Sequence, residues 1–410
     1  MSYSIVKGEV APGFEGVRAC FQEQFRSGRQ IGAGLAVWYR GVPVVDLWGG
    51  WADREAQRPW ARDTRMVLFS VTKGFVAMAF QLLVDRGLLH FDDKVVRYWP
   101  EFGAAGKADM TVRTLLNHRG GLARLNTPFL LDDCWDENKA AAIRTALEQQ
   151  APAWTPGEAQ GYHALTFGLY ASELFRRIAH EDVGAFLERE YFPPTGSDVR
   201  LGTPVDFDAQ VGRLYPPAQL DRVFTLAKEN FRHPSGPDAR IFRDFFRPGS
   251  LCRGALMNPS TPKNDLRAYN SIPARRASLA WASSTGSARG VAKAYLPFAQ
   301  KGLVDGEPLF SAHLIPELTR RQGWSERDFV LQKPIGWSSG FVKEAPDVFS
   351  PNPESFGHPG MGGALGWVDP SVELAIGYVP NRMSWRVRSR RALELTRAIY
   401  DALPHVDAKA

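Results

Sequence analysis

Cysteine is scarce. The 410 residues hold three, Cys20, Cys134 and Cys252, far apart and with no C-x-x-C pair. That argues against a disulfide framework and against a structural zinc site. Long apolar runs are missing too: none approaches the ~18–20 residues that cross a bilayer, so no membrane insertion is expected. Charge of one sign is in small excess, with 50 Lys+Arg against 44 Asp+Glu. The densest basic stretch holds Arg382, Arg386, Arg388, Arg390 and Arg391, with Trp385 among them. No aromatic–basic RNA motif or zinc-finger spacing accompanies it, so it reads as the solvated face of a terminal helix, not a nucleic-acid surface. The opening MSYSIVKGEVAPGFEG lacks a basic region followed by an apolar one, which makes a cytoplasmic protein the expectation. No internal repeat is visible. What is present is ordinary for a globular protein: 44% apolar and 23% charged residues, over a length that suits two or three domains.

Apolar spacing and turn residues outline the chain. Residues 12–27 read as an amphipathic helix between Pro12 and Gly28. The runs 31–39 and 42–48, joined by Arg40-Gly41, read as a β-hairpin. Residues 70–86 carry Phe75, Met78, Ala79, Leu82 and Leu83 at helical spacing, with Gly87 at the stop position. Thr111 starts a further helix that ends at Gly120-Gly121. Residues 100–200 read as mostly helical. Residues 203–275 are proline-rich and irregular, the pattern of a lid. A helix is expected over 285–300, a second hairpin over 363–368 and 373–379, and a last helix over 384–402. The expected fold is therefore α+β. One sheet is built from both chain ends, residues 1–100 and 276–410, and is flanked by helices. A mostly helical unit, 101–275, is inserted between them.

The strongest chemical signal is Phe69-Ser70-Val71-Thr72-Lys73. Ser70 and Lys73 stand i, i+3 at the start of the 70–86 helix, so both side chains share one face. A serine hydroxyl is a weak nucleophile that needs such a basic neighbour. The free N–H groups of a helix start add stabilisation for negative charge.

Further motifs follow in order: LLNHRGGL at 115–122, Trp154-Thr155-Pro156-Gly157, Tyr162-His163-Ala164, and Phe356-Gly357-His358-Pro359-Gly360-Met361. Together with S-x-x-K, from about residue 30 to 400, they resemble the penicillin-recognising serine hydrolases. These are the class C β-lactamases, the DD-peptidases and the β-lactamase-like (family VIII) carboxylesterases. The resemblance implies an antiparallel sheet flanked by helices, an all-α domain, and an active site at their junction. It implies Ser70 as nucleophile, Lys73 as its partner, and Tyr162 as general base, its phenol made competent by an adjacent ammonium. It leaves open whether Tyr162 or Lys73 takes the proton. It also implies an oxyanion hole from the Ser70 and Met361 N–H groups, with His358 and Gly360 lining the substrate. No metal or organic cofactor is implied.

Two positions depart from the lactamase pattern. His358 stands for a lysine that binds the lactam carboxylate, and Ala164 for the asparagine of Y-x-N. Both weaken lactam recognition, and ester chemistry needs neither. No separate deacylating glutamate is recognisable, and Glu158 reads as an exposed turn residue. His118 reads as a turn residue bonded to backbone, and His163 as a supporting or exposed histidine. Asp132, Asp133, Asp136 and Glu137 read as a solvated loop without the pattern of a calcium site. Phe224, Phe231, Phe242, Phe245 and Phe246 either line an acyl pocket or pack the lid. The resulting expectation is a serine esterase of short- to medium-chain carboxylic esters, acting through an acyl-enzyme on a small-molecule substrate. The alternatives on the same residues are an amide hydrolase (D-aminopeptidase or oligomer amidase), an acyltransferase, and, least favoured, a non-catalytic scaffold. The oligomeric state is not legible.

Overall fold

The computed structural model describes residues 6–217, 231–384, 386 and 388–404. Phe224 and Trp385 lie outside the described residues. In chain order the main elements are β1 (Val6–Val10), α1 (Glu15–Arg26), β2 (Gly32–Tyr39), β3 (Val42–Asp53), α2 (Val71–Asp85), α3 (Val112–Leu116), α4 (Glu137–Gln149), α5 (Thr166–Ala179) and α6 (Val183–Glu190). They continue with α7 (Pro237–Phe246), α8 (Leu251–Met257), α9 (Ala288–Ala299), β4 (Gly323–Ser325), β5 (Ile335–Ser338), β6 (Phe341–Lys343), β7 (Phe356–Pro359), β8 (Leu365–Asp369), β9 (Leu374–Pro380) and α10 (Arg390–Ala402).

One antiparallel sheet runs β1-β3-β2-β9-β8-β7-β6-β5-β4, with a two-residue strand, Arg58–Pro59, paired onto β3. The first hairpin closes through Arg40 and Gly41, both at positive φ (51° and 78°), the backbone a two-residue hairpin turn demands. β2 then pairs with β9 from Ala33↔Pro380 to Tyr39↔Leu374, which joins the two chain ends in the middle of the sheet. Helix α9 lies so close to one face that a Cβ on Gly377 would stand 2.1 Å from the Ala288 carbonyl oxygen. Helices α1 and α10 pack on each other. The fold is α+β, an antiparallel sheet flanked by helices.

Helix α2 is buried along residues 71–83. A helix apolar on all sides belongs in an interior, and α2 packs on β7 and β8 with one side and on α5 and α6 with the other. Its N-terminus therefore opens at the seam between sheet and helices.

Several expectations need correction. The 203–275 stretch is not structureless: it holds α7, α8 and a short helix at Ile272–Arg276. β1 and the strands β4 to β7 carry no alternating pattern long enough to announce them; β4 to β7 are three or four residues each. The last helix begins at Arg390, not 384. The basic stretch is accordingly not one solvated face. Arg388 grips Glu344, and Arg391 is buried, donating to the carbonyls of Arg29, Arg382 and Gly362. No helix among the described residues is long and apolar enough to cross a membrane.

Candidate active site

Ser70 occupies the position just before α2, and Phe69 before it adopts φ +47°. A left-handed backbone at a bulky residue is strained. It is held by burial of the Phe69 ring edge-on against Tyr269, centroids 5.5 Å apart. One helical turn on, Lys73 is fully buried. Its Nζ lies 3.1 Å from Ser70 Oγ and donates to the Trp281 carbonyl at 3.2 Å. Tyr162 arrives from the segment preceding α5, and its hydroxyl donates to Ser70 Oγ at 2.9 Å. Two groups, one three residues and the other 92 residues away in sequence, thus converge on the Ser70 oxygen.

Burial decides their charge. It pushes the Lys73 pKa well below the usual ammonium range, and no carboxylate nearby opposes it. It pushes the Tyr162 phenol upward; the Ser70 contact lowers it slightly and Asp328 raises it. Burial thus favours the uncharged amine at Lys73 and the protonated phenol at Tyr162, the directions in which a lysine serves as proton acceptor and a tyrosine as proton donor.

The Tyr162 ring is clamped. It stacks on Trp337 at 5.7 Å and 8°, with His118 at 5.0 Å and Lys73 Nζ 5.1 Å from its centroid. His118 is buried, and its Nδ1 accepts the His163 N–H at 3.0 Å. His163 Nε2 accepts the Leu122 N–H, and its Nδ1 faces the Gly161 carbonyl. Burial keeps both imidazoles neutral, His163 with a pKa near about 3. They are scaffolding for the Tyr162 segment, not bases reaching Ser70.

Gly360 directly follows β7, an interior strand of the sheet, and a Cβ there would stand 2.4 Å from the Leu68 carbonyl oxygen. The glycine allows close contact with the loop leading to Ser70. Met361 is 42% exposed. Among the described residues neither its N–H nor that of Ser70 has a hydrogen-bond partner, while Gly360 and Gly363 N–H groups bond to Ala364 and Gly360 carbonyls. Backbone donors left open beside a nucleophile are what an oxyanion hole requires. His358 is only 2% exposed. Its Nδ1 bonds the Pro359 carbonyl at 2.8 Å, so Nδ1 carries the proton, and its Nε2 is enclosed without a partner among the described residues. Burial and Lys73 push its pKa down to about 3.

The other sequence candidates lie elsewhere. Glu158 is exposed in a turn. Asp136 caps α4 and Asp133 caps the turn before it. Phe242, Phe245 and Phe246 pack on one another at 4.8 and 5.3 Å along α7, and Phe231 is 88% exposed. Sequence reasoning missed Trp337, Trp281 and Asp328. The first stacks on Tyr162, the second offers Lys73 a carbonyl, and Asp328 accepts the Tyr162 N–H at 3.0 Å. None stands in a motif, and only tertiary proximity identifies them.

Comparison with known proteins places this geometry. The Beta-lactamase family model matches residues 17–400. The chain is 33% identical over 385 residues to "Esterase/beta-lactamase LipL" of Mycobacterium tuberculosis, covering 92% of this chain and 83% of that protein. Its structure is similar to that of a family VIII carboxylesterase, with TM-score 0.82 and 32% identity over 97% of this chain and all of the other. It is similar also to EstA from Arthrobacter nitroguajacolicus Rue61a, with TM-score 0.80 and 30% identity over 96% and 97% of the two chains.

Proposed function

The chain belongs to the beta-lactamase family and its relatives support an esterase; from that premise we propose that it hydrolyses short- to medium-chain carboxylic esters through an acyl-enzyme on Ser70. The observation carrying this reading is Ser70 Oγ held between Lys73 Nζ at 3.1 Å and the Tyr162 hydroxyl at 2.9 Å. A neutral amine has a lone pair, so the Ser70 hydroxyl can turn its hydrogen toward Nζ. Lys73 then takes the proton as Oγ attacks the ester carbonyl. The Ser70 and Met361 N–H groups receive the oxyanion. When the C–O bond breaks, the Tyr162 O–H protonates the departing alkoxide, and the phenolate recovers a proton from the Lys73 ammonium. Water repeats the cycle in reverse roles to release the acid. No metal or organic cofactor enters these steps.

Residues 101–275 form the inserted helical unit in this reading, and the part from 203 onward roofs the site. His358 acts as a neutral wall behind Tyr162 and Gly360 as the spacer that seats the strand. β-Lactam turnover is weak or absent in this reading: the nucleophile and oxyanion donors suit a lactam carbonyl, but His358 offers no charge to its carboxylate. The test is a panel of p-nitrophenyl esters, D-amino-acid amides and nitrocefin, with intact mass of the trapped intermediate. The expected result is ester turnover far above the others and a mass gain of one acyl group. Amide or lactam kcat/KM equal to the best ester overturns the assignment.

A further inference from the structure

Nothing in the S-x-x-K chemistry calls for a buried acid, yet Asp328 is fully buried, in the loop between β4 and β5. Among the described residues it has no cationic partner. Its Oδ1 alone accepts three backbone N–H groups: Tyr162 at 3.0 Å, Val330 at 2.9 Å and Leu331 at 2.9 Å. Its Oδ2 takes a longer bond of 3.4 Å from Gln160 Nε2, which also donates to the Ile335 carbonyl at 3.1 Å. In return the Phe329 N–H donates to the Gln160 carbonyl at 3.0 Å. The loop 328–331 and the segment 160–162 are thus joined by this carboxylate and by the one backbone bond beside it. Burying an unpaired carboxylate is unfavourable unless it is well hydrogen-bonded, and N–H bonds to an ionised acceptor are short and strong. Such an anchor suits a side chain that must be held within about 0.5 Å of its working position.

We infer that Asp328 is a positioning residue for the chemical step: through Oδ1 it fixes the Tyr162 main chain so that the phenol stays aligned with Ser70 Oγ and with the departing alkoxide. The inference rests on the reading of Tyr162 as proton donor to the leaving group. A poor leaving group such as ethoxide needs that proton, and p-nitrophenolate does not. The ratio of kcat/KM for ethyl butyrate to that for p-nitrophenyl butyrate therefore reports the alignment, whereas a general loss of folded enzyme leaves it unchanged.

The experiment compares this ratio in the wild type, Tyr162→Phe, Asp328→Ala, Asp328→Glu and Asp328→Asn, with folding checked by circular dichroism. Tyr162→Phe is expected to lower the ratio at least tenfold. Asp328→Ala removes the anchor, and Asp328→Glu keeps an acceptor but shifts it by one methylene; either is expected to lower the ratio at least threefold. Asp328→Asn retains an oxygen for the three N–H groups and should stay within threefold of wild type. A folded Ala or Glu variant with the wild-type ratio overturns the role. So does an Asn variant as damaged as Tyr162→Phe, because the charge and not the anchor then matters. Failure of both Ala and Glu to fold beside a normal Asn variant would make Asp328 a folding residue only, and also overturns it. An unchanged ratio in Tyr162→Phe itself refutes the Tyr162 reading and removes this inference with it.

Discussion

Gly360→Ala tests the seating of the strand edge against the nucleophile. The added Cβ would lie 2.4 Å from the Leu68 carbonyl oxygen, 3.2 Å from Val71 Cγ2 and 3.3 Å from the Ala364 Cβ. The oxygen is backbone, two residues before Ser70, so no side chain can rotate away. To reach even 3.0 Å, the end of β7 must retreat by about 0.6 Å, which is the amount the 2.4 Å contact falls short. That retreat carries the Met361 N–H away from its counterpart on Ser70. Losing one oxyanion donor costs roughly 10²–10³ in kcat, or about 2.7–4 kcal/mol, and a misplacement near 1 Å costs about 10²-fold. A partial displacement should therefore lower kcat by roughly 10–10²-fold with little change in KM. Overpacking should also cost about 1–3 kcal/mol of stability. Steady-state hydrolysis of p-nitrophenyl butyrate, read beside a urea melt, measures both. A folded Gly360→Ala enzyme with kcat within twofold of wild type would refute the oxyanion geometry argued above.

Ser70→Ala should lose on the order of 10⁴-fold or more in kcat, and a fluorophosphonate should label Ser70 alone; peptide mapping that finds the label elsewhere rejects the mechanism. The lactam-to-ester ratio should be flat between pH 5 and 8, because the His358 pKa lies near about 3, while His358→Lys should raise it; a ratio that climbs on mild acidification would mean that the ring is solvated. His163 and His358 are held neutral with pKa values near about 3, so only the unfolded chain takes up their protons as pH falls below about 6.5, and stability drops until the pH reaches the folded pKa. At pH 5 each should cost about 2 kcal/mol relative to pH 8, visible as a lower urea midpoint, and pH-independent midpoints would contradict it. Phe246→Ala, on the exposed side of α7, should change the acyl-chain-length profile if this segment roofs the site; a change in melting temperature alone would leave it a packing residue.

The proposed catalytic trio is readable because its chemistry is local in part. Ser70 and Lys73 share one helical turn, and an i, i+3 spacing at a helix start brings both side chains to one oxygen whatever surrounds them. The hairpin at Arg40-Gly41 and the strands that become β8 and β9 were readable for a similar reason, since turn residues and apolar runs act over a few positions. Tyr162 was reachable only through the order of motifs along the chain. β4 to β7 were not readable: strands of three or four residues, most of them buried on both faces, leave no alternation to detect.

The sequence by itself determined which groups are available: a serine and a lysine one turn apart, a tyrosine, and a glycine where a strand meets the nucleophile loop. The direction in which their pKa values move depends on what the fold packs around them. Burial with no acid nearby lowers that of Lys73, and burial raises that of Tyr162, whose ring Trp337 and His118 enclose. Desolvation depends on what surrounds a group in three dimensions. The neighbours that supply it here, Trp281 and Trp337, stand 208 and 175 residues further along the chain than Lys73 and Tyr162, where no local pattern could mark them.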